Sequence, residues 1–473
     1  MTIKTRYIFI LMVLAILTAL ALSTCFSSYS GGTGTLTINI GGGNNRAAFE
    51  PAEIKAFTHT ITLTGPGEPQ TETIEGEGSV TFELIPGTWN IEVRAVGKTP
   101  DDYLEYYEDA EFPHTMLRAL SRETVEIITG PNKQADIKME AATEVRNSKQ
   151  LEAAIDIASL NGRKEVIFIL EDITLEDTDI FIQLGSNITF LADKPVKISF
   201  PSGDRISINI NENSKLSLGR KGMSGYLTID SNKSIGELFI VRGGELIMEE
   251  GVTIQNGSDN AVTITTSDTV DKVPGNFTMN GGKITGNKHP SIDGGAVYVA
   301  NFCSFTMNGG EISENDASNG GGVFVDAGGK FTMEEGSTIS GNKASDNGGG
   351  VYVGNLDVGP KGEFYMKGGI ISDNEASICG GGVYVGYGDG YGIFTKSGGT
   401  IYGNDVDIIH NNRVLEGYQE AYTDKAYGFA VLVDGNYSGG LSAFDVKRKI
   451  LDTTAGPGIN LDAKETIGWT SPD

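Results

Sequence analysis

Arginine is missing from a long stretch of this chain: none occurs between Gly243 and Asn412. Basic residues are scarce throughout, with 36 Lys and Arg against 62 Asp and Glu and a formal net charge of −26. That balance argues against nucleic acid as a partner, because a phosphate backbone needs a basic stripe. It also disfavours polyanionic sugars unless a cation bridges them. Histidine occurs only at 59, 114, 289 and 410, too scattered for a His-rich metal site. Of the three cysteines, Cys303 and Cys379 fall at unlike places in a repeat described below. A disulfide needs a closer approach of the two Cα atoms than that spacing favours, so both are expected to be small buried side chains. Helix-favouring runs are rare as well. What is abundant is glycine, 65 of 473 residues, which points to β-structure with many turns in a chain long enough for two or three domains.

The first residues carry an address rather than a fold. Lys4 and Arg6 precede an apolar run of 16 residues, Tyr7 to Leu22, shorter than the roughly 20 that a membrane-spanning helix needs. The run ends in Leu22-Ser23-Thr24-Cys25, which resembles a bacterial lipobox. The resemblance implies cleavage after residue 24 and lipidation of Cys25. Thr24 departs from the usual Gly, Ala or Ser, a relaxation found among spirochaete lipoproteins; an ordinary secretory signal cut nearby is the alternative. Either way the chain is expected to be exported. Loss of residues 1–24 removes two positive charges, taking −26 to −28.

After a Ser- and Gly-rich tether (25–34), segments such as Thr58–Thr64 (THTITLT) and Ser79–Ile85 (SVTFELI) alternate as half-buried strands do. Turn signals at Gly65-Pro66-Gly67 and Pro86-Gly87 separate them. Six or so short strands over residues 35–140 predict a small antiparallel sandwich. Its PGTWNIEV stretch resembles carboxypeptidase-regulatory or immunoglobulin-like spacer modules.

One convincing helix follows, over 147–160, with Asn147 or Ser148 as its cap and Leu151, Ala154, Ile155 and Ala158 on one face. Val166–Leu170 (VIFIL) then begins a procession of short strands. Three phrases recur in order. FTMNGG and its variants start at Phe277, Phe305, Phe331, Phe364 and Phe394, at spacings of 28, 26, 33 and 30. IxxN follows at Ile284, Ile312, Ile339, Ile371 and Ile401, and GGAVYV or its variants at Gly294, Gly320, Gly348 and Gly380. Three short strands per 26–33 residues make one coil of a parallel β-helix, an architecture that tolerates unequal loops. The helix running straight into VIFIL resembles the cap of pectin-lyase-like right-handed β-helices. The final coil is expected at Ala430–Val433, after a loop of about 18 residues at 409–426, with 434–473 as a cap or tail.

Alternation assigns the side chains. Phe and Met of FTM point inwards, as do the two valines of VYV and the Ile of IxxN. A single coil buries too few of these to offset the ordering of nearly 30 residues, so the stack has to be cooperative. Asn287, Asn315, Asn342, Asn374 and Asn404 occupy one position in successive coils, where stacked amides can form a hydrogen-bonded ladder. Lys396 replaces the inward Met of the last FTM phrase, so the core is expected to open to solvent there. The middle residues of the third phrase, Tyr298, Phe324, Tyr352 and Tyr384, are expected to line up on the outside. Small neighbours on that face leave open ground, so the stripe is a candidate platform for a sugar ring or a protein partner. Cross-strand packing that stiffens the sheet is the other explanation.

Chemistry is harder to find. The glycine runs are not followed by Lys-Ser/Thr and a helix, so they do not cradle phosphate, and no cofactor is indicated. The Asn-Thr-Asp, Gly-His-Gly and Arg-Ile-Lys signatures of polygalacturonases are absent from the chain. The carboxylate pairs Glu249-Glu250 and Glu334-Glu335 sit in predicted turns and are expected to be solvated. The Gly386–Gly392 loop, GYGDGYG, is a candidate Ca²⁺ ligand but lacks the tandem nonapeptide of calcium-binding β-rolls.

The pairing of GGA[ILV] with FxxN is the hallmark of chlamydial polymorphic outer membrane proteins, and residues 240–433 resemble their repeats. Gly294–Val297 (GGAV) matches outright, the other three copies read GGGV, and FxxN is here IxxN. The resemblance implies a β-helix passenger that acts in adhesion, without that family's translocating barrel, for which the 40 residues after Val433 leave no room. The layout as a whole also resembles spirochaete surface lipoproteins. The expectation is an all-β chain: signal segment 1–24, tether 25–34, β-sandwich 35–140, right-handed parallel β-helix 141–433 with its capping helix, and tail 434–473. It is expected to be lipid-anchored in the envelope, at the outer membrane or cell surface, and to bind a host or matrix protein or a neutral glycan rather than to catalyse. A carbohydrate-active enzyme and a purely structural envelope protein are the alternatives.

Overall fold

The computed structural model describes residues 32–402, apart from 41–54, 106, 131–132, 138, 162–163, 177–178, 184, 223–225, 355–359 and 387–391, together with 412–414 and 431–433. Residues 1–24, where a signal segment is expected, Cys25, Asn404, most of the GYGDGYG loop and residues 434–473, the expected cap or tail, lie outside the described residues. The described residues form two compact units, one drawn from within 1–97 and 119–139 and one from within 98–118 and 140–473.

In the first unit Gly34–Ile40 pairs antiparallel with Gly78–Leu84 and parallel with Lys133–Asp136. Thr58–Thr64 pairs antiparallel with both Gln70–Glu75 and Gly87–Lys98. Strict alternation gives each sheet one apolar row: Leu36, Ile38, Phe82 and Leu84 in the first, Ile61, Leu63, Trp89, Ile91 and Val93 in the second, all at most 3% exposed. The buried indole of Trp89 keeps its N–H satisfied by donating to the Ile85 carbonyl at 3.0 Å.

The second unit is a parallel β-solenoid of about nine turns. One sheet has nine strands from Ile173–Thr174 to Thr400–Ile401, and another has nine from Ile180–Ile182 to Val431–Val433. The third runs from Glu140–Val145 to Ile393–Lys396. A short fourth row, Asp316–Ala317, Lys343–Ala344, Glu375–Ala376 and Arg413–Val414, lines the later coils. Like residues stay in register although the repeat length varies: Phe277, Phe305, Phe331, Phe364 and Phe394 are direct partners. Their rings stack inside the coil at centroid distances of 4.7–4.9 Å. Val431–Val433 pairs with Val383–Val385, which places the last coil where the AVLV phrase suggests.

Glycine is required where coils approach most closely. Gly310 has φ +92°, and a Cβ there would lie 2.7 Å from the Gly282 carbonyl and from the Met279 methyl. A Cβ on Gly349 would meet two carbonyl groups at 2.5–2.6 Å. The turn glycines therefore set how tightly one coil rests on the next.

The helix Ser148–Asn161 closes the first coil. Asn147 Oδ1 accepts the Gln150 backbone N–H at 2.9 Å, so Asn147 is the cap, and Leu151, Ala154, Ile155 and Ala158 are at most 1% exposed. It does not cap alone. Residues 98–118, expected in the sandwich, belong to the solenoid's unit, with Tyr103, Ala110, Phe112 and Met116 in the solenoid core. Gln150 Nε2 binds this segment by donating to the Ala110 carbonyl at 3.0 Å. The excursion carries apolar residues at irregular spacing, which hides it inside a stretch of strands.

Lys396 does not open the core. It is 3% exposed, with Nζ donating to the Gly399 carbonyl at 2.7 Å, and burial holds its pKa below the usual lysine value. A flexible four-carbon stem follows the path of the methionines while its head finds a turn carbonyl.

Candidate functional site

The Asn column is structural. Asn315 Oδ1 accepts both the backbone N–H and the side-chain amide of Asn287, at 3.0 and 2.9 Å. Asn342 Oδ1 does the same for Asn315, and Asn374 Oδ1 for Asn342. Each amide is 0% exposed, and the later ones also donate to a main-chain carbonyl. Such a network is fully satisfied and has no group left for a ligand. The rung after Asn374 is Asn412, not the expected Asn404. The inserted loop moves the ladder position out of the IYGN phrase, so sequence spacing misleads at that coil.

The outer face of the valine sheet is where binding chemistry collects. Register places Phe181, Asn209, Ile240, Thr263, Tyr298, Phe324, Tyr352 and Tyr384 in one column, one residue per coil. Flanking valines such as Val297, Val299, Val351 and Val353 are 0% exposed, so the parity is valine in and aromatic out. The exposed stripe nevertheless has to be corrected. Phe324, Tyr352 and Tyr384 are 4%, 7% and 9% exposed, and Tyr298 packs half-buried against them.

The cause lies not in the small residues beside each ring but in the turn glycines that open the third phrase. Glycine there lets backbone close on the rings: a Cβ on Gly294 would lie 3.1 Å from the Phe324 Cβ, and one on Gly380 2.7 Å from the Tyr384 Cβ. The rings cover one another's faces at centroid distances of 5.3, 4.8 and 5.0 Å. At the head of the stack the Tyr298 hydroxyl donates to Asp326 Oδ2 at 2.8 Å; burial and that carboxylate push its pKa up. Asp293 nearby is also raised, by burial first and then by the charges of Asp346 and Asp326, against a hydrogen bond from Asn319.

Towards the first coils the same column opens. Phe181 is 42% exposed and shares with Asn209 and Ile240 the floor of a cleft of about 560 Å³. Asp179 and Arg205 stand at one rim, Arg242 and Asp268 at the other. Asp179 Oδ1 is fixed by accepting the Ser207 backbone N–H at 2.8 Å and its hydroxyl at 3.1 Å. Arg242 Nη1 lies 3.3 Å from Asp268 Oδ2, and Arg205 lies 3.9 Å from Glu237. Sequence reasoning overlooked this cleft because it lies before the recognisable repeats. The available signal was Phe181, an aromatic at the outward position of an alternating strand, flanked in neighbouring coils by the last arginines before the arginine-free stretch.

The remaining candidates are dispersed. Glu249 is buried, not solvated, and accepts from Asn280 Nδ2 at 2.9 Å, while Glu334 accepts from Lys367 Nζ at 2.8 Å. Neither Cys303 nor Cys379 forms a disulfide, and Cys303 is buried, its thiol pushed by burial to a pKa of about 11. Among the described residues no group of three or more His, Cys, Asp or Glu is placed to hold a metal ion. No protein-family model, curated protein or solved structure matches the chain.

Proposed function

We propose that this chain is an exported, lipid-anchored protein of the cell envelope that acts by binding, as an adhesin or interaction protein whose solenoid presents its ligand site at the outer membrane or cell surface. The observation that carries the reading is the change along the outer face of the valine sheet. Over the later coils the column is a self-covered aromatic stack; over the first coils it is an open cleft with a ring, an aliphatic side chain and charged groups on both rims. A rigid wall bearing such a cleft suits recognition, because its floor residues Phe181, Asn209 and Ile240 are held on strands. In this reading Cys25 carries the lipid and the first unit is a spacer. The partner is a host or matrix protein or a glycan, and the net charge of −26 disfavours nucleic acid.

The anchor is tested by Cys25→Ser, which should move the protein from the membrane to the soluble fraction and abolish acyl labelling. Unchanged partitioning of the variant contradicts the anchor.

A second reading, a carbohydrate-active enzyme, draws on the carboxylates of Asp179, Glu237 and Asp268 in the cleft, since glycoside hydrolysis works through paired carboxyl groups. Incubation with neutral and acidic polysaccharides, with and without Ca²⁺, decides it. New reducing or unsaturated ends that persist through purification would replace binding by turnover.

A further inference from the structure

The cleft over the first coils of the valine sheet has a composition that selects a ligand class. Its floor joins an exposed phenyl ring, Phe181, to the side chains directly in register on the next two coils, Asn209 and Ile240. These three rows lie about 4.8 Å apart, so the floor is a short track that runs along the solenoid axis. A track of that kind accepts an extended chain of flat, partly apolar units better than a compact molecule.

The rims exclude two classes of occupant. Arg205 and Arg242 supply two positive charges, while Asp179, Glu237 and Asp268 supply three negative ones, so the site carries 2 − 3 = −1. A polyanion therefore gains nothing on arrival, and a purely apolar ligand would strand five charged groups against its surface. What matches is a neutral ligand with apolar ring faces and a hydroxylated edge. Guanidinium groups donate to hydroxyl oxygens and carboxylates accept from hydroxyl hydrogens, so rims of both kinds serve both halves of each hydroxyl.

The rim groups are also only lightly engaged. Arg205 has a side chain 74% exposed and meets Glu237 at 3.9 Å, beyond hydrogen-bond distance. Arg242 reaches Asp268 at 3.3 Å, and that carboxylate is 81% exposed. The two hydrogen bonds that hold Asp179 to Ser207 both fall on one oxygen, Oδ1.

We infer that this cleft binds a neutral oligosaccharide chain, with a pyranose ring on Phe181, hydroxyls shared between the Arg and carboxylate rims, and the chain running along the Phe181–Asn209–Ile240 track. The inference rests on the binding function proposed above and adds to it the ligand class and the site.

The test uses the full chain without its signal segment and isothermal titration with four hexasaccharides: cello-, xylo- and mannohexaose as neutral probes and hexagalacturonate as the acidic one. At least one neutral hexasaccharide should bind, and Phe181→Ala should weaken it by about tenfold or more, equal to about 1.4 kcal/mol. Arg205→Ala, at a side chain open to solvent, should weaken it several-fold. Both variants should keep the wild-type unfolding midpoint, which separates a lost contact from a lost fold. The inference is overturned if no neutral probe binds at millimolar concentration, if Phe181→Ala leaves the affinity unchanged, or if hexagalacturonate binds best. Any of these would leave Cys25-dependent anchoring and surface adhesion standing, and failure of those would leave the sugar titration standing.

Discussion

Asn374 and Asn412 are 38 positions apart, yet the side-chain amide of the first donates to Oδ1 of the second at 2.9 Å, and both are fully buried. Every rung from Asn287 onward points the same way, each Oδ1 accepting from the coil before it. The ladder thus has a polarity, and each amide oxygen satisfies a backbone N–H that no strand partner reaches.

That polarity predicts an unusual ranking of substitutions at Asn342. Asn342→Ala orphans the backbone N–H of Asn315 and should cost about 1–3 kcal/mol, since an unsatisfied buried donor loses its full desolvation energy. Asn342→Asp keeps the shape but turns a donor into an acceptor facing Asn374 Oδ1 and the Ile312 carbonyl. It should cost more than alanine does. Urea unfolding of the two variants at pH 7 checks the order.

The aromatic column predicts a stability effect. Truncating Tyr352 and Tyr384 together should destabilise the solenoid by several kcal/mol, because large buried rings cost about 3–5 kcal/mol each when removed. An unfolding midpoint within error of wild type would mean that the rings are open to solvent after all.

Lys396 predicts a pH dependence. Burial lowers its pKa in the folded chain, so between that value and the ordinary lysine value near 10.5 the unfolded chain binds more protons. Stability should therefore rise as pH climbs through that window, and the full cost of charging the buried amine is present below it. Lys396→Met completes the methionine column of Met279, Met307, Met333 and Met366. It should stabilise by about 1–4 kcal/mol at pH 7, with the advantage shrinking towards pH 10. Thermal melts of both proteins at pH 7, 9 and 10 read this directly.

The solenoid was legible because its signal is redundant: the Phe, Met, Ile and Val rows each recur at the same phase, and inward parity follows from any one of them. What escaped was set by the third dimension. Alternation says that Tyr352 points away from the valines, but not that glycine backbone folds over it. Spacing says that an Asn belongs under Asn374, but an insertion decides which one. The cleft at Phe181, Arg205 and Arg242 is formed by residues from three coils whose sequences share no phrase. Only register brings them together.

The most direct measurement of the central claim is proteolysis of intact cells that express the full chain. An exported, anchored binding solenoid should be digested by protease added outside the cells while cytoplasmic markers survive, and Cys25→Ser should abolish that cell-associated pool. Digestion only after lysis would contradict display at the surface, and with it the adhesin account.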